Sequence, residues 1–128
     1  MAYIRDCIKL LKKRFPNSIV FVGGEHATAL TEYSLRDCKE VDFISLGEGE
    51  ETWREIASKE DDNYKELDGL AYLEDGKFIK TKNRVRVKHV DSIPWPDWET
   101  FPIEPYLDNS MSFGPGSGRN MPIIASRG

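Results

Sequence analysis

Two stretches of this chain carry the residue types that hold small molecules. The first is Gly23-Gly24-Glu25-His26-Ala27-Thr28, following the apolar run Ser18-Ile19-Val20-Phe21-Val22. The second is Gly47-Glu48-Gly49-Glu50-Glu51-Thr52, following Val41-Asp42-Phe43-Ile44-Ser45-Leu46. Glycine lets a ligand lie against bare backbone and permits turns that a Cβ forbids. A glycine pair after a strand also serves plain turn geometry, and both uses stand open at Gly23-Gly24. In the second stretch Glu48, Glu50 and Glu51 gather at a helix start, where the positive end of the macrodipole stabilises carboxylates. The same carboxylates occupy the place a phosphate would take and repel it. A ligand edged with amide groups suits them better, which makes Glu48 a candidate acceptor. No G-x-G-x-x-G, P-loop, G-x-S-x-G or H-E-x-x-H occurs. Cys7, Cys38 and His89 have no metal-ligand spacing, and both cysteines read as small core hydrophobes. The chemistry on offer is binding, and no residue is a candidate catalyst.

The elements that position these turns follow from hydrophobic period. Ile4, Cys7, Ile8, Leu10, Leu11 and Phe15 recur at helical spacing, with Arg5, Lys9, Lys12 and Lys13 opposite, and Pro16-Asn17 ends the helix. Residues 18–22 have the uninterrupted apolar character of a parallel strand covered on both faces. A short helix is predicted over Ala27 to Leu35, a strand over Val41 to Leu46, and a second helix over Glu48 to Lys59 with Trp53, Ile56 and Ala57 facing inward. Strand, helix, strand, helix at this spacing indicates βαβ crossovers and a parallel sheet. Leu67 to Thr81 then reads as a hairpin, with Asp75-Gly76 supplying the positive φ angles of a tight turn. Lys80, Lys82, Arg84, Arg86 and Lys88 alternate and read as a solvated strand face. Between Asp91 and Tyr106, Pro94, Pro96, Pro102 and Pro105 interleave with Trp95, Trp98, Phe101 and Tyr106. That composition predicts neither helix nor central strand but a segment packed along a surface. Ser110 to Asn120 has little to bury and is expected to be mobile, and the run Pro122 to Gly128 reads as a buried strand halting at a glycine.

The chain has 128 residues and a net charge of −4, enough for one domain with its own core. That balance excludes a strongly basic nucleic-acid module or a polyanion-binding tail. No apolar stretch approaches the ~20 residues of a membrane span, and the N-terminus lacks the apolar region of a signal peptide. A lone pair of cysteines suits a reducing compartment, so a soluble, cytoplasmic protein is expected.

Taken together, G-G-x-H-x-T, G-E-G-E, the D-G hairpin, the P-x-P stretch Asp91-Ser92-Ile93-Pro94-Trp95-Pro96 and the terminal Ser126-Arg127-Gly128 occur in an order that resembles one family. This is the cobalamin-binding-domain branch of the radical S-adenosylmethionine enzymes, in the group that contains the anaerobic magnesium-protoporphyrin IX monomethyl ester cyclases and hopanoid or phosphonate methylases. The resemblance runs from about Ile19 to Gly128 and implies a partial flavodoxin/Rossmann-like α/β fold. Residues 1–66 would be part of a cobalamin-binding domain, 67–90 a hairpin extension, and 91–128 a linker. In the family, S-R-G is followed by the C-P-x-x-C-x-x-C that holds an iron–sulfur cluster. The resemblance therefore implies a fragment whose missing C-terminal barrel binds the cluster and S-adenosylmethionine, and whose Pro/aromatic linker docks there. It implies a parent methyltransferase or oxidative cyclase, with this chain itself catalysing nothing and binding cobalamin poorly. The resemblance places Gly23 and Gly24 beside the nucleotide tail of the cofactor, and with His26, Gly47, Glu48 and Gly49 they make up the candidate cofactor-binding residues. His26 lines the pocket or bonds a neighbouring loop rather than ligating cobalt, because the family's axial histidine belongs to a D-x-H-x-x-G loop not present here. A chain cut at both ends would also leave a sheet edge open to non-native self-association. The alternative is a stand-alone flavodoxin-like small-molecule-binding or interaction module with no catalytic activity.

Overall fold

The computed structural model describes residues 2–61, 63–85, 87–109 and 118–120. The expected terminal strand and most of the segment expected to be mobile lie outside them. The chain divides into two compact units, Met1–Lys88 and His89–Gly128.

The first unit contains α1 (Ala2–Arg14), β1 (Phe21–Val22), α2 (Glu25–Ala29), α3 (Thr31–Asp37), β2 (Phe43–Ser45), α4 (Glu50–Ser58), β3 (Leu70–Glu74) and β4 (Lys77–Lys80). The strands form one sheet in the order β1-β2-β3-β4. β1 and β2 are parallel, with Phe21 opposite Phe43. β3 pairs with β2 antiparallel, Ser45 opposite Leu70, and β4 closes the hairpin. The α/β class expected from sequence is present, but the sheet is mixed rather than parallel throughout. The hairpin is the continuation of the same sheet, because the open edge of β2 is satisfied by the strand that follows α4.

Alternation along the strands sorts the core into two layers. Ile44 and Ala71 pack with Ala27 of α2 and Leu35 of α3, flanked by Val22, Leu73 and Phe78. The opposite face carries Phe43, Leu70 and Tyr72, flanked by Phe21, Tyr64 and Ile79. There Phe21 stacks on Phe43 at 5.0 Å between centroids and meets the ring edges of Trp53 and Tyr64. These are offset and edge-to-face geometries favoured by the ring quadrupole. α1 is anchored by charge. Lys12 Nζ donates to the carbonyl of Ser18 and to Asp42 Oδ2 (2.7 Å), and the same oxygen accepts from the Val20 N–H (2.7 Å). Ile4, Leu10, Leu11 and Phe15 stay exposed. Cys7 is exposed as well, so of the two cysteines only Cys38 is a core residue. The α1 stripe is only grazed by the sheet because Arg5, Ile8 and Lys12, not its centre, face inward.

Where one helix was expected after the first turn there are two, broken at Leu30 (φ −119°, ψ 45°). Neither Trp53 nor Ala57 is buried on α4; Thr52 is the fully buried residue instead. Asp75 (φ 49°) and Gly76 (φ 77°) make the tight turn read from sequence.

In the second unit Trp98, Phe101 and Tyr106 form a chain of ring contacts, and Trp95 is 90% exposed. A short helix, α5 (Glu104–Asp108), occurs where none was expected. Pro105 is compatible with it because the first helical turn has no partner for the missing N–H. Arg119 pairs with Glu104 and Asp108.

Candidate functional site

The carboxyl ends of β1 and β2 bring the two glycine turns together. In an open α/β sheet this is the end at which ligands sit. The Gly47 N–H donates to Thr28 Oγ1 at 3.3 Å, joining the last residue of G-G-x-H-x-T to the first of G-E-G-E. Gly24 has φ 92° and ψ 171°, a region that only glycine occupies at low cost. Gly47 has φ 68°, and neither Gly24 nor Gly47 has a heavy atom within 4 Å of the point where a Cβ would start. Both present open backbone. Gly23 instead lies against β2, its Cβ position 3.7 Å from Ser45 Cβ.

The second turn is gripped from behind. Gly49, at the start of α4, has the indole of Trp53 pressed on it; a Cβ there would meet Trp53 Cδ1 at 3.2 Å and Ser45 Oγ at 3.8 Å. Glu48 Oε2 accepts from the backbone N–H of Val87 (3.3 Å), so this carboxylate is engaged by the chain that returns from β4. Three residues earlier in that returning segment, Arg84 turns inward. Its Nε donates to Thr52 Oγ1 (3.0 Å), its Nη1 and Nη2 form a bidentate pair with Glu55 (3.2 and 2.6 Å), and Nη2 also donates to the Asp68 carbonyl (2.9 Å). The guanidinium holds the Glu55 carboxyl below its ordinary value, and Glu55 raises Arg84 in return. Arg84 therefore leaves the solvated basic face expected from alternation, because a fixed five-donor fork can satisfy a buried hydroxyl, a carbonyl and a carboxylate at once.

His26 stands exposed on α2, and Glu25 beside it is exposed too. The structure thus gathers Gly23, Gly24, Gly47 and Gly49 around Ser45 and Thr28, leaves His26 on the outside, and ties Glu48 to Val87. Sequence reasoning missed Ser45 and Arg84. The first is a hydroxyl at the end of an otherwise apolar strand, a signal that was available; the second is hidden in a run of alternating cations.

Ser45 is the unusual member. It is 3% exposed, and its hydroxyl has no hydrogen-bond partner among the described residues. Elsewhere, Cys38 is buried, and desolvation together with a hydrogen bond to Glu40 pushes its thiol up, the opposite of an activated nucleophile. Among the described residues no cluster of three or more His, Cys, Asp or Glu side chains is placed to hold a metal. No helix there is long and apolar enough to cross a membrane.

No protein-family model matches the chain. It is similar to an uncharacterized methyltransferase of Pyrococcus horikoshii, 33% identical over 108 residues, covering 83% of this chain and 24% of that protein. It is also similar to the anaerobic magnesium-protoporphyrin IX monomethyl ester cyclase of Cereibacter sphaeroides, 29% identical over 129 residues, covering 94% of this chain and 21% of the cyclase. The cyclase of the same name from Synechocystis is 32% identical over 98 residues, 75% of this chain and 19% of that protein. The chain spans about a fifth to a quarter of the length of these curated relatives. It is thus related to methyltransferase and cyclase proteins over one part of polypeptides much longer than itself.

Proposed function

We propose that this chain is the cobalamin-binding portion of a cytoplasmic radical S-adenosylmethionine enzyme whose whole polypeptide performs a methyl transfer or an oxidative cyclisation. The observation that carries this reading is the Gly47–Thr28 hydrogen bond, which joins two glycine turns at the ligand-binding end of a parallel strand pair. The similarity to a methyltransferase and to cyclases supports the reaction class. The residues fit the cofactor. The backbone of Gly24 and Gly47 is uncovered where a side chain would start, so a ligand can approach it, and the carboxylates of the second turn disfavour a phosphate-led ligand while accepting from amides. Gly23, Gly24, Gly47 and Gly49 would form the floor, with Glu48 and the exposed His26 at its rim.

Bound cobalamin would supply a methyl group or a redox partner, and this chain's own residues bind and orient it. The iron–sulfur cluster and S-adenosylmethionine are assigned to a barrel of the same polypeptide, onto which the exposed aromatics of the second unit would dock. No residue of the chain is assigned a catalytic part.

Hydroxocobalamin titrated into the full polypeptide containing this chain, followed by its visible spectrum, tests the reading. Saturable binding is expected, weakened about tenfold or more by Gly24→Val. Absence of any spectral change overturns it and leaves the flavodoxin-like binding module.

A further inference from the structure

The hydroxyl of Ser45 calls for an explanation. Buried polar side chains in a folded protein are nearly always hydrogen-bonded, and a specific exception needs a cause. The neighbouring hydroxyls obey the rule. Thr52 Oγ1 accepts from Arg84, Thr28 Oγ1 from Gly47, and Thr81 Oγ1 exchanges hydrogen bonds with Leu70. Two buried hydroxyls among the described residues lack a partner, Ser34 on α3 and Ser45, and of the two only Ser45 sits where the glycine turns meet.

Two glycines flank it. On one side is Gly23, without a side chain to fill the space beside Ser45 Cβ. On the other is Gly49 at the start of the nine-residue α4, a helix with no side-chain cap, whose missing Cβ would lie 3.8 Å from Ser45 Oγ. Over Gly49 lies Trp53, 46% exposed, held by an edge contact with Phe21 rather than by burial. A half-exposed indole is the part of this wall that can swing away.

We propose that Ser45 is a ligand-contacting, specificity-determining residue of the site, donating its hydroxyl proton to a neutral acceptor, an amide carbonyl or hydroxyl oxygen, of the group that enters when Trp53 moves aside. An anionic acceptor is disfavoured by Glu48, Glu50 and Glu51 around the same helix start. The orphan hydroxyl is a donor kept ready for the ligand, so the unbound protein carries its desolvation cost. This inference rests on the cofactor reading above and adds to it a residue that the glycine motifs do not contain.

The test uses the full polypeptide, hydroxocobalamin and the variant Ser45→Ala. Alanine removes a group with no internal partner, so the unbound variant is expected to melt about 2 °C or more above the parent, while its affinity for hydroxocobalamin falls about tenfold or more. A higher melting temperature with unchanged affinity overturns the inference and leaves the cofactor reading standing. A lower melting temperature also overturns it, because the hydroxyl then has a structural partner. If the parent protein does not bind hydroxocobalamin, the cofactor reading and the role of Ser45 in it fall together. Trp53→Ala, which removes the indole over Gly49, is expected to speed association several-fold; unchanged association excludes the indole as the moving part.

Discussion

The two glycine turns reach the same end of the sheet by different means. The first is held by conformation: Gly24 occupies a backbone region closed to other residues, and α2 beyond it is a single short helix with its outer side chains exposed. The second is held by long-range side chains. Arg84 locks α4 to the carbonyl of Asp68, and Val87 fixes Glu48. The Gly47–Thr28 hydrogen bond couples them. A turn that depends on its own φ angles is sensitive to local substitution, whereas a turn held by distant partners is sensitive to changes far away in sequence.

The comparison can be broken most severely at Arg84. Arg84→Ala leaves the Glu55 carboxylate, the Asp68 carbonyl and the fully buried Thr52 hydroxyl without their common donor, a loss of about 3 kcal/mol by analogy with other disrupted ion pairs of low exposure. Denaturant unfolding would show it, and Arg84→Lys should recover little because an ammonium cannot span three acceptors. Next in size is the pair Gly24→Ala and Gly47→Ala. The first should cost about 2 kcal/mol, from a region essentially reserved for glycine, and the second about 1 kcal/mol, from the left-handed region. Equal costs would remove the distinction between the two turns. The smallest effect is on pH. Glu55 is depressed in the folded state by Arg84, so its stabilisation is present above the ordinary glutamate range and is lost as pH falls through the lowered folded value. Glu55→Gln should flatten the acid limb of a stability–pH profile, and an unchanged profile would show that the pair contributes no linkage.

Much of the first unit was legible in residue order. The β1 and β2 runs, the helix from Ile4 to Phe15 and the Asp75-Gly76 turn follow from period and turn chemistry, which are local properties. The antiparallel docking of β3 on β2 was not legible, since strand pairing depends on which edge is free after the chain has folded. Trp53 was read as a core residue because it is large and apolar, yet it leans over Gly49 half exposed, and the small Thr52 takes the buried position because Arg84 needs an acceptor there. The glycines of the candidate site were readable as glycines. Ser45 was readable as a hydroxyl ending an apolar strand, but that this hydroxyl lacks a partner is recognised only once every possible partner has been located. In the second unit Pro105 argued against a helix, but position within the first turn decides whether proline breaks one.

The change from parallel to antiparallel pairing within one sheet has a consequence for the order of assembly. The β3–β4 hairpin needs only its two-residue turn and can zip on a timescale of about 1–10 µs, whereas pairing β1 with β2 must close a crossover of α2 and α3, and pairing β2 with β3 one that includes α4. The hairpin is thus the one local pairing of the sheet, and the two pairings made by β2 both wait on the closure of a longer connection. The glycine turns lie at the ends of β1 and β2, so the binding end of the unit is built on the sheet's non-local contacts rather than on its self-sufficient hairpin.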